Sequence, residues 1–517
     1  MTESTRAIVI GGGHNGLICA TLLAKAGHAV TLLEGRSSIA NAPDLEFAPG
    51  FFSPGLAHIH TELHPKLRQA LNLTSKSTGT KTKTIALDGQ GAHIHFYGDK
   101  VEGTSVSDVD QAAYASFRKE FLSYAKALTP LLLNRPPRLK NMDRGDQFTL
   151  AKLGWSLRFG LGASSMREFL RVGGINIYDV LNELFDNKLV KAAISVDAVM
   201  GHHMAPRTPT TVLTYLTRLF AETHSEPSVA TKVDSLHREL EASAIAAGVD
   251  IKTDAWVEKV IIENDRANGV QLASGQTMLA DIVASSADAK NTFLKLAGAA
   301  NLDAMFVHRI SKTRTNGSVA RLHLALKDIP SFTNLTTEDL KGRLLIAPDM
   351  RYIERAFNPT KYGEHAEQPV LEITIPSLHD ATMAPDGQHV MSVNICYAPY
   401  HLKQGWDNAR DKFTQICIDT LSAYAPNLPS QIIQKELLTP QDIETRFNIS
   451  GGHWHHGELA IDQSFMMRPI HGTAQYNTPI ENLFLCGAAA HPGGGITGLP
   501  GWNAARRIIA MTKDKSS

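Results

Sequence analysis

Gly11, Gly13 and Gly16 form a G-x-G-x-x-G directly behind the apolar run at 7–10, and Glu34 closes the next apolar run. These residue types suit a dinucleotide. Gly11 permits a tight turn, Gly13 lets the backbone come close to a pyrophosphate, and Gly16 lets the following helix pack on the strand. The helix N-terminus then favours the phosphate charge. Glu34 can accept from both ribose hydroxyls, which points to an adenosine with a free 2′-OH, as in FAD or NAD rather than NADP. A second glycine-rich stretch, Gly487 with Gly493, Gly494, Gly495, Gly498 and Gly501, lies near the C-terminus. It offers unhindered backbone N–H groups beside a positive helix end, a setting for an anionic centre such as the pyrimidine edge of a reduced flavin.

Histidines are the next group of residues able to move a proton. The 22 histidines include the groups His58/His60/His64, His93/His95, His202/His203 and His453/His455/His456. The His58/His60/His64 run is a candidate lining for a pocket entrance. His93/His95 and His202/His203 read as solvated or hydrogen-bonded surface histidines. No metal site is expected, because no carboxylate or thiol supports the histidines at a defined short spacing.

These residues need elements to hold them. Residues 6–10 read as a buried strand, 11–16 as a turn opening a helix to residue 27, and 28–34 as a second strand, a β-α-β unit. Residues 37–73 read as loop, 107–240 as mostly helical, with segments at 110–128, 166–170 and 181–199. Strands return at 249–262, 270–272 and 282–285, with turns at Asn268-Gly269 and Ser274-Gly275. Further strands are expected at 318–326, 342–346, 370–375 and 389–397, then a helix at 407–424. The end repeats the opening: a strand at 482–486, a glycine turn and a helix at 500–511. The fold class is therefore α/β, with a discontinuous Rossmann-type domain of residues 1–75, 225–300 and 450–517. A mixed α+β substrate domain of residues 76–224 and 301–449 is inserted into it.

Composition narrows the function. Fifty-one basic residues balance 51 acidic ones over 517 residues, so nothing marks a phosphate-backbone surface and nucleic acid is not an expected partner. Cys19, Cys396, Cys417 and Cys486 form no C-x-x-C pair, which fits a reducing cytoplasm and no disulfide chemistry. No apolar run reaches the roughly 18 residues of a membrane span.

Several stretches resemble the phytoene dehydrogenase-related flavoproteins, in the branch of the pyridine nucleotide-disulphide oxidoreductase domain-containing protein 2 family. They are IVIGGGHNGL (8–17) with Glu34 and Arg36, ADIVASSADAKNTF (280–293), YIERAFNPTKYGEH (352–365), HVMSVNICYAPYHL (389–402), GGHWHHGELAIDQSFMMRP (451–469) and the terminal block. The resemblance runs over most of the chain. It implies a two-domain fold like that of the amine oxidases and phytoene desaturases, with FAD extended along the nucleotide domain. It assigns Gly11, Gly13, Gly16, Glu34 and Arg36 to the pyrophosphate and ribose. Val257 matches the strand position whose backbone meets the adenine, and Gly487, Gly494, Gly495, Ile496 and Thr497 match the terminal flavin motif. His491 lies inside that terminal glycine block, and the resemblance sets His456 and Glu458 just before it; these three are the acid/base candidates. The expected activity is hydride transfer through the flavin on an apolar small molecule. A non-redox flavin-dependent double-bond isomerase and a scaffold subunit with weakened FAD binding are the alternatives. Peripheral membrane contact is a further possibility, since phytoene desaturases work at membranes.

Two departures from the family pattern motivate the scaffold alternative. Ile39-Ala40-Asn41-Ala42-Pro43 stands where the family has two adjacent glycines. Residues 226–232 replace a glycine-rich turn, with no glycine between Ala221 and Ala247.

Overall fold

The computed structural model describes residues 4–39, 45–74, 82–231 and 235–516. Its first sheet is parallel and five-stranded, in the order Asp250–Lys252, Ala29–Leu33, Arg6–Ile10, Ile282–Ser285, Leu483–Leu485. The strand Arg6–Ile10 is apolar on both faces because both are covered. Ala7 and Val9 meet Leu17 and Cys19 of the helix His14–Lys25, while Ile8 and Ile10 join Val257, Val260 and Val270 of a three-stranded antiparallel layer. That layer is built from Val257–Glu263, Arg266–Leu272 and Thr277–Leu279. The C-terminal helix Leu499–Ser516 crosses the first helix at Gly501, where a Cβ would lie 2.1 Å from the Asn15 carbonyl oxygen. Strands from three distant stretches of chain thus build one sheet.

The second sheet has eight strands, in the order Ile432–Leu438, Val319–Leu326, His389–Cys396, Val370–Thr374, Arg343–Ile346, Thr84–Ala86, Ile94–Tyr97, Lys100–Glu102. The side-chain period of two divides it sharply. One face carries Leu322, Leu324, Ile373, Val393 and Ile395 against Phe413 and Cys417 of the helix Trp406–Ser422. The other face carries Arg321, His323, Arg343, Glu372, Ser392 and Asn394, and all six are buried. Polar groups so placed must be paired or must meet a ligand.

Three local expectations are corrected. Asn268-Gly269 is not a turn: it lies inside Arg266–Leu272, and a Cβ on Gly269 would come within 2.1 Å of the Met278 carbonyl oxygen of the neighbouring strand. The reversal is made earlier by Asn264 and Asp265, both left-handed at φ 51° and 59°, as a two-residue hairpin turn requires. The helical run expected at 181–199 is two helices, Ile177–Leu184 and Lys188–Val199, because the Asn187 side chain accepts from the N–H groups of Leu189 and Val190 and starts a new one. The stretch 37–73 contains the helix Pro65–Leu71, with proline in its first turn. No helix among the described residues is long and apolar enough to cross a membrane.

Candidate functional site

A cavity of about 1270 Å³ lies between the two sheets. At one end it is lined by Gly11, Gly13, Gly16, Glu34, Arg36 and Val257, and it continues to Gly494, Gly495, Ile496 and Thr497. Ten of the eleven positions expected to hold the cofactor therefore share one wall system. Gly487 does not line it. A Cβ there would lie 2.1 Å from the Ser286 carbonyl oxygen, so this glycine serves close packing instead.

The three glycines of the first turn divide their work as their spacing suggests. Gly11 has φ +95°, and a Cβ on Gly16 would sit 2.0 Å from the Gly11 carbonyl oxygen. Gly13 differs: a Cβ there would meet nothing within 4 Å. The helix that begins at His14 has no side-chain cap and no acid in its first turn, which leaves its N–H groups and positive end available to an anion. Glu34 accepts from the Gly12 N–H at 2.7 Å and from the Arg36 N–H at 3.0 Å, which fixes its carboxylate beside the turn. Ser286, at the tip of its strand, was not legible as a site residue. Its hydroxyl donates to the carbonyls of Ile10 and Gly11 at 2.8 and 3.3 Å and pins the turn. This open, anion-favouring cradle fits a dinucleotide.

The two departures have different outcomes. Ala40, Asn41, Ala42 and Pro43 lie outside the described residues. In the second, Ser228–Val229 pairs antiparallel with Ile59–His60, and Pro227 through Thr231 line the cavity. A short ladder has taken the place of a glycine turn, while Lys232 lies outside the described residues.

The histidines resolve into distinct settings. His455 packs so closely on the terminal block that a Cβ on Gly494 would lie 2.3 Å from its Nδ1, and His202 stacks on it with ring centroids 4.9 Å apart. His202, His455 and His456 all line the cavity. The reading of His202 as a surface residue is therefore corrected: it is 3% exposed and part of the wall. His203 is bonded to the Thr360 hydroxyl at 3.0 Å, and His93 to the Asp88 N–H and the Thr333 carbonyl. His58 and His60 line the cavity, whereas the ring of His64 caps the helix Pro65–Leu71.

Of the three acid/base candidates, His456 alone lines the cavity. Glu458 does not: its carboxylate accepts from Arg314 Nε at 2.5 Å, and Arg314 also grips Asp462. Neither does His491, whose Nε2–H donates to the Leu131 carbonyl at 3.0 Å. Both are anchors rather than groups facing a substrate.

Arg468 organises the loop that carries these histidines. Its guanidinium donates to the carbonyls of His455, Glu458, Gln463 and Ala488 at 2.6 to 3.2 Å, and burial pulls its pKa down to about 9. Burial, then neighbouring histidine and this cation, hold His453 and His455 well below the ordinary imidazole range. The ring that His455 presents to the cavity wall is thus held in its neutral form by burial.

The far end of the cavity meets the polar face of the second sheet. Glu372 accepts from Arg343 Nε and from Asn394 Nδ2, and Asp197 is shared between Arg343 at 2.7 Å and Arg218 at 3.0 Å. Arg321 donates to the carbonyls of Gly55 and Ala57 and to His58 Nδ1. The expectation of an apolar substrate finds no support in this wall.

Residues 9–72 match the family model described as an NAD(P)-binding Rossmann-like domain. The chain is 30% identical to pyridine nucleotide-disulfide oxidoreductase domain-containing protein 2 of Rattus norvegicus, over 98% of this chain and 94% of that one. It is 29% identical to a lycopene-forming phytoene desaturase of a Paracoccus species, over 52% of each chain. Cyclohexylamine oxidase from Brevibacterium oxydans shares the fold at a TM-score of 0.55, 13% identity and 99% coverage of both chains.

A Rossmann-like sheet, a mixed second sheet and a dinucleotide cradle opening between them define the oxidoreductase class of the amine oxidases and phytoene desaturases. Within that class the chain belongs to the family of pyridine nucleotide-disulfide oxidoreductase domain-containing protein 2. Its four cysteines are free and buried, and burial pushes the thiols of Cys396 and Cys417 up, away from the reactive thiolate.

Proposed function

We propose that the protein is an FAD-dependent oxidoreductase that moves hydrogen between the flavin and a small molecule held at the charged end of the cavity. The observation that carries this reading is the continuity of one cavity from Gly13 to the Gly494–Thr497 turn and on to Glu372 and Asn394. FAD, when bound, supplies the hydride acceptor or donor. The pyrophosphate would be held by the N-terminal turn at Gly13 and the helix end behind it, and the ribose by Glu34. Val257 would meet the adenine and the Gly494–Thr497 turn the flavin. The division into a cofactor domain (1–75, 225–300, 450–517) and a substrate domain (76–224, 301–449) follows from the same reading.

The acid/base role passes to His455 and His456. Both line the cavity, whereas Glu458 and His491 do not. A neutral imidazole there can take the proton that leaves the substrate, and Arg468 positions it through the His455 carbonyl. The four free cysteines support a reducing compartment, the cytoplasm in the simplest reading.

Purified protein is expected to carry, or to take up on reconstitution, an oxidised flavin with its two long-wavelength absorption bands. A substrate should bleach them anaerobically. Turnover without bleaching would instead establish the isomerase alternative, and protein that stays colourless after reconstitution would overturn both enzymatic readings.

Peripheral membrane contact has a structural basis as well. Phe148, Lys152, Trp155 and Phe159 follow one stripe of the helix Arg144–Trp155 and the turn after it, with Phe148, Trp155 and Phe159 60%, 68% and 61% exposed. Lys152 lies 4.1 Å from the Phe148 ring and Arg158 5.4 Å from that of Phe159, the mixture of aromatic and cationic groups that suits an anionic bilayer surface. Vesicles containing phosphatidylglycerol should co-sediment the protein, and Trp155→Ser with Phe159→Ser should abolish it. Equal recovery of the double variant would remove this reading.

A further inference from the structure

The charged end of the cavity is built beyond what flavin binding requires. Four arginines, Arg118, Arg218, Arg321 and Arg343, stand with three acids, Asp197, Glu222 and Glu372. Every acid is engaged. Glu222 is held by Arg118 at 2.8 Å, Asp197 by Arg218 and Arg343, and Glu372 by Arg343 and Asn394. His58 between them adds no charge, because burial drives its pKa down to about 3.

Capacity remains on the cationic side. Arg218 projects into the cavity from the helix Thr211–Glu222, on the same face as Thr214 and Glu222. Its Nε faces Asp197, and among the described residues its two outer nitrogens have no hydrogen-bond partner. Its side chain is 28% exposed, so the guanidinium fork is open to a ligand. A planar fork whose two outer nitrogens are unengaged matches the two oxygens of a carboxylate better than a neutral hydrocarbon. Met200, Ala221, Trp454 and Leu459 line the neighbouring wall and offer apolar contact to the rest of such a molecule.

A line of contacts joins this pole to the proposed redox centre. Asn394 and Cys396 share one strand face, Cys396 Sγ meets Met200 Sδ at 3.5 Å, and His202, two residues on, stacks on His455 beside Gly494. A molecule anchored at Arg218 would therefore extend toward the terminal glycine turn.

We infer that the substrate is an organic monocarboxylate with an apolar body, its carboxylate seated on Arg218 and its reacting carbon near His455 and Gly494. The inference rests on reading the cavity as the substrate chamber of a flavin enzyme. Calorimetric titration of the full chain, with and without FAD, separates the two: flavin retention is read from colour and anion preference from heat. Decanoate, decanol and decylamine serve as probes.

Decanoate should bind at least about tenfold more tightly than either of the others, as a charge-assisted pair implies. Arg218→Met and the more conservative Arg218→Gln should both erase that preference while FAD is retained, and Arg218→Lys should keep part of it. Equal binding of the three probes, a preference for decylamine, or a preference that survives both Arg218→Met and Arg218→Gln would overturn the assignment. So would loss of FAD from Arg218→Gln, since the arginine would then serve the cofactor.

Discussion

Gly13→Val is expected to give a folded protein that no longer holds a dinucleotide. The expectation follows from what surrounds each glycine of the turn. A Cβ on Gly13 meets nothing within 4 Å, and the residue sits at φ −64°, ψ 168°, an extended conformation that a β-branched side chain adopts readily. The apo protein should therefore melt within about 3 °C of the parent. The isopropyl group would instead occupy the space in front of the uncapped helix end, where the phosphates need close approach to backbone N–H groups. Affinity for FAD should fall at least about 100-fold, about 2.7 kcal/mol, when titrated by flavin fluorescence. Gly16→Val is the contrasting control. Its Cβ would lie 2.0 Å from the Gly11 carbonyl oxygen, so strand and helix must separate and soluble folded protein should be lost. Retention of bound flavin by Gly13→Val would refute the cradle.

The contrast between Gly13 and Gly16 also shows what a sequence can carry. Both are readable as members of one motif because backbone requirements are local, and the apolar strands on either side announce the β-α-β unit. The terminal block was readable for the same reason, although Gly487 proved to be a packing glycine against Ser286 rather than a cavity residue. The substrate end was not readable. Arg218, Asp197, Glu372 and Asn394 come from two helices and two strands far apart in the chain, and no spacing rule links them. Glu372 sits in an apolar strand, Val370–Thr374, in which it is the only charged residue, and only the sheet topology shows that it faces Asn394 and Arg343. Glu458 misled for the opposite reason. It lies within the recognisable stretch, but Arg314, far upstream, takes its carboxylate. The strand pattern of the second sheet was legible at four consecutive members, Val319–Leu326, His389–Cys396, Val370–Thr374 and Arg343–Ile346, whose apolar runs are long or uninterrupted. The short strands Thr84–Ala86, Ile94–Tyr97 and Lys100–Glu102 were too brief to show a period.

The histidine excess yields the second large expected effect, an abrupt loss of stability in mild acid. His58, His202, His323, His453 and His491 are buried, and burial lowers all five pKa values, to about 3 for His58 and about 4 for His491. Their hydrogen bonds fit neutral rings: His491 donates to a carbonyl, and His58 Nδ1 accepts from Arg321. In the unfolded chain each would titrate near the ordinary value of about 6.5. Because the folded values are depressed, the unfolded state binds more protons below that pH, and stability falls as pH drops through it. Above roughly pH 7.5 the five contribute nothing to the slope. At pH 5.5 each costs on the order of 1 kcal/mol, and five together several kcal/mol, a large part of the stability of an ordinary domain, about 5–15 kcal/mol. Two of the paired acids, Glu372 and Asp143, lose their contribution outside this window. Both are held near about 2 once the opposing burial is counted, so their contributions disappear only in stronger acid. Thermal unfolding should therefore be nearly constant from pH 8 to pH 7 and fall steeply between about pH 6.5 and pH 5. His323→Gln, which keeps an acceptor for the Ser392 hydroxyl, removes one of the five and should recover on the order of 1 kcal/mol of the loss at pH 5.5 relative to its own value at pH 7.5. A melting temperature equal at pH 5.5 and pH 7.5 would mean that these rings are protonated, or solvated, in the folded protein.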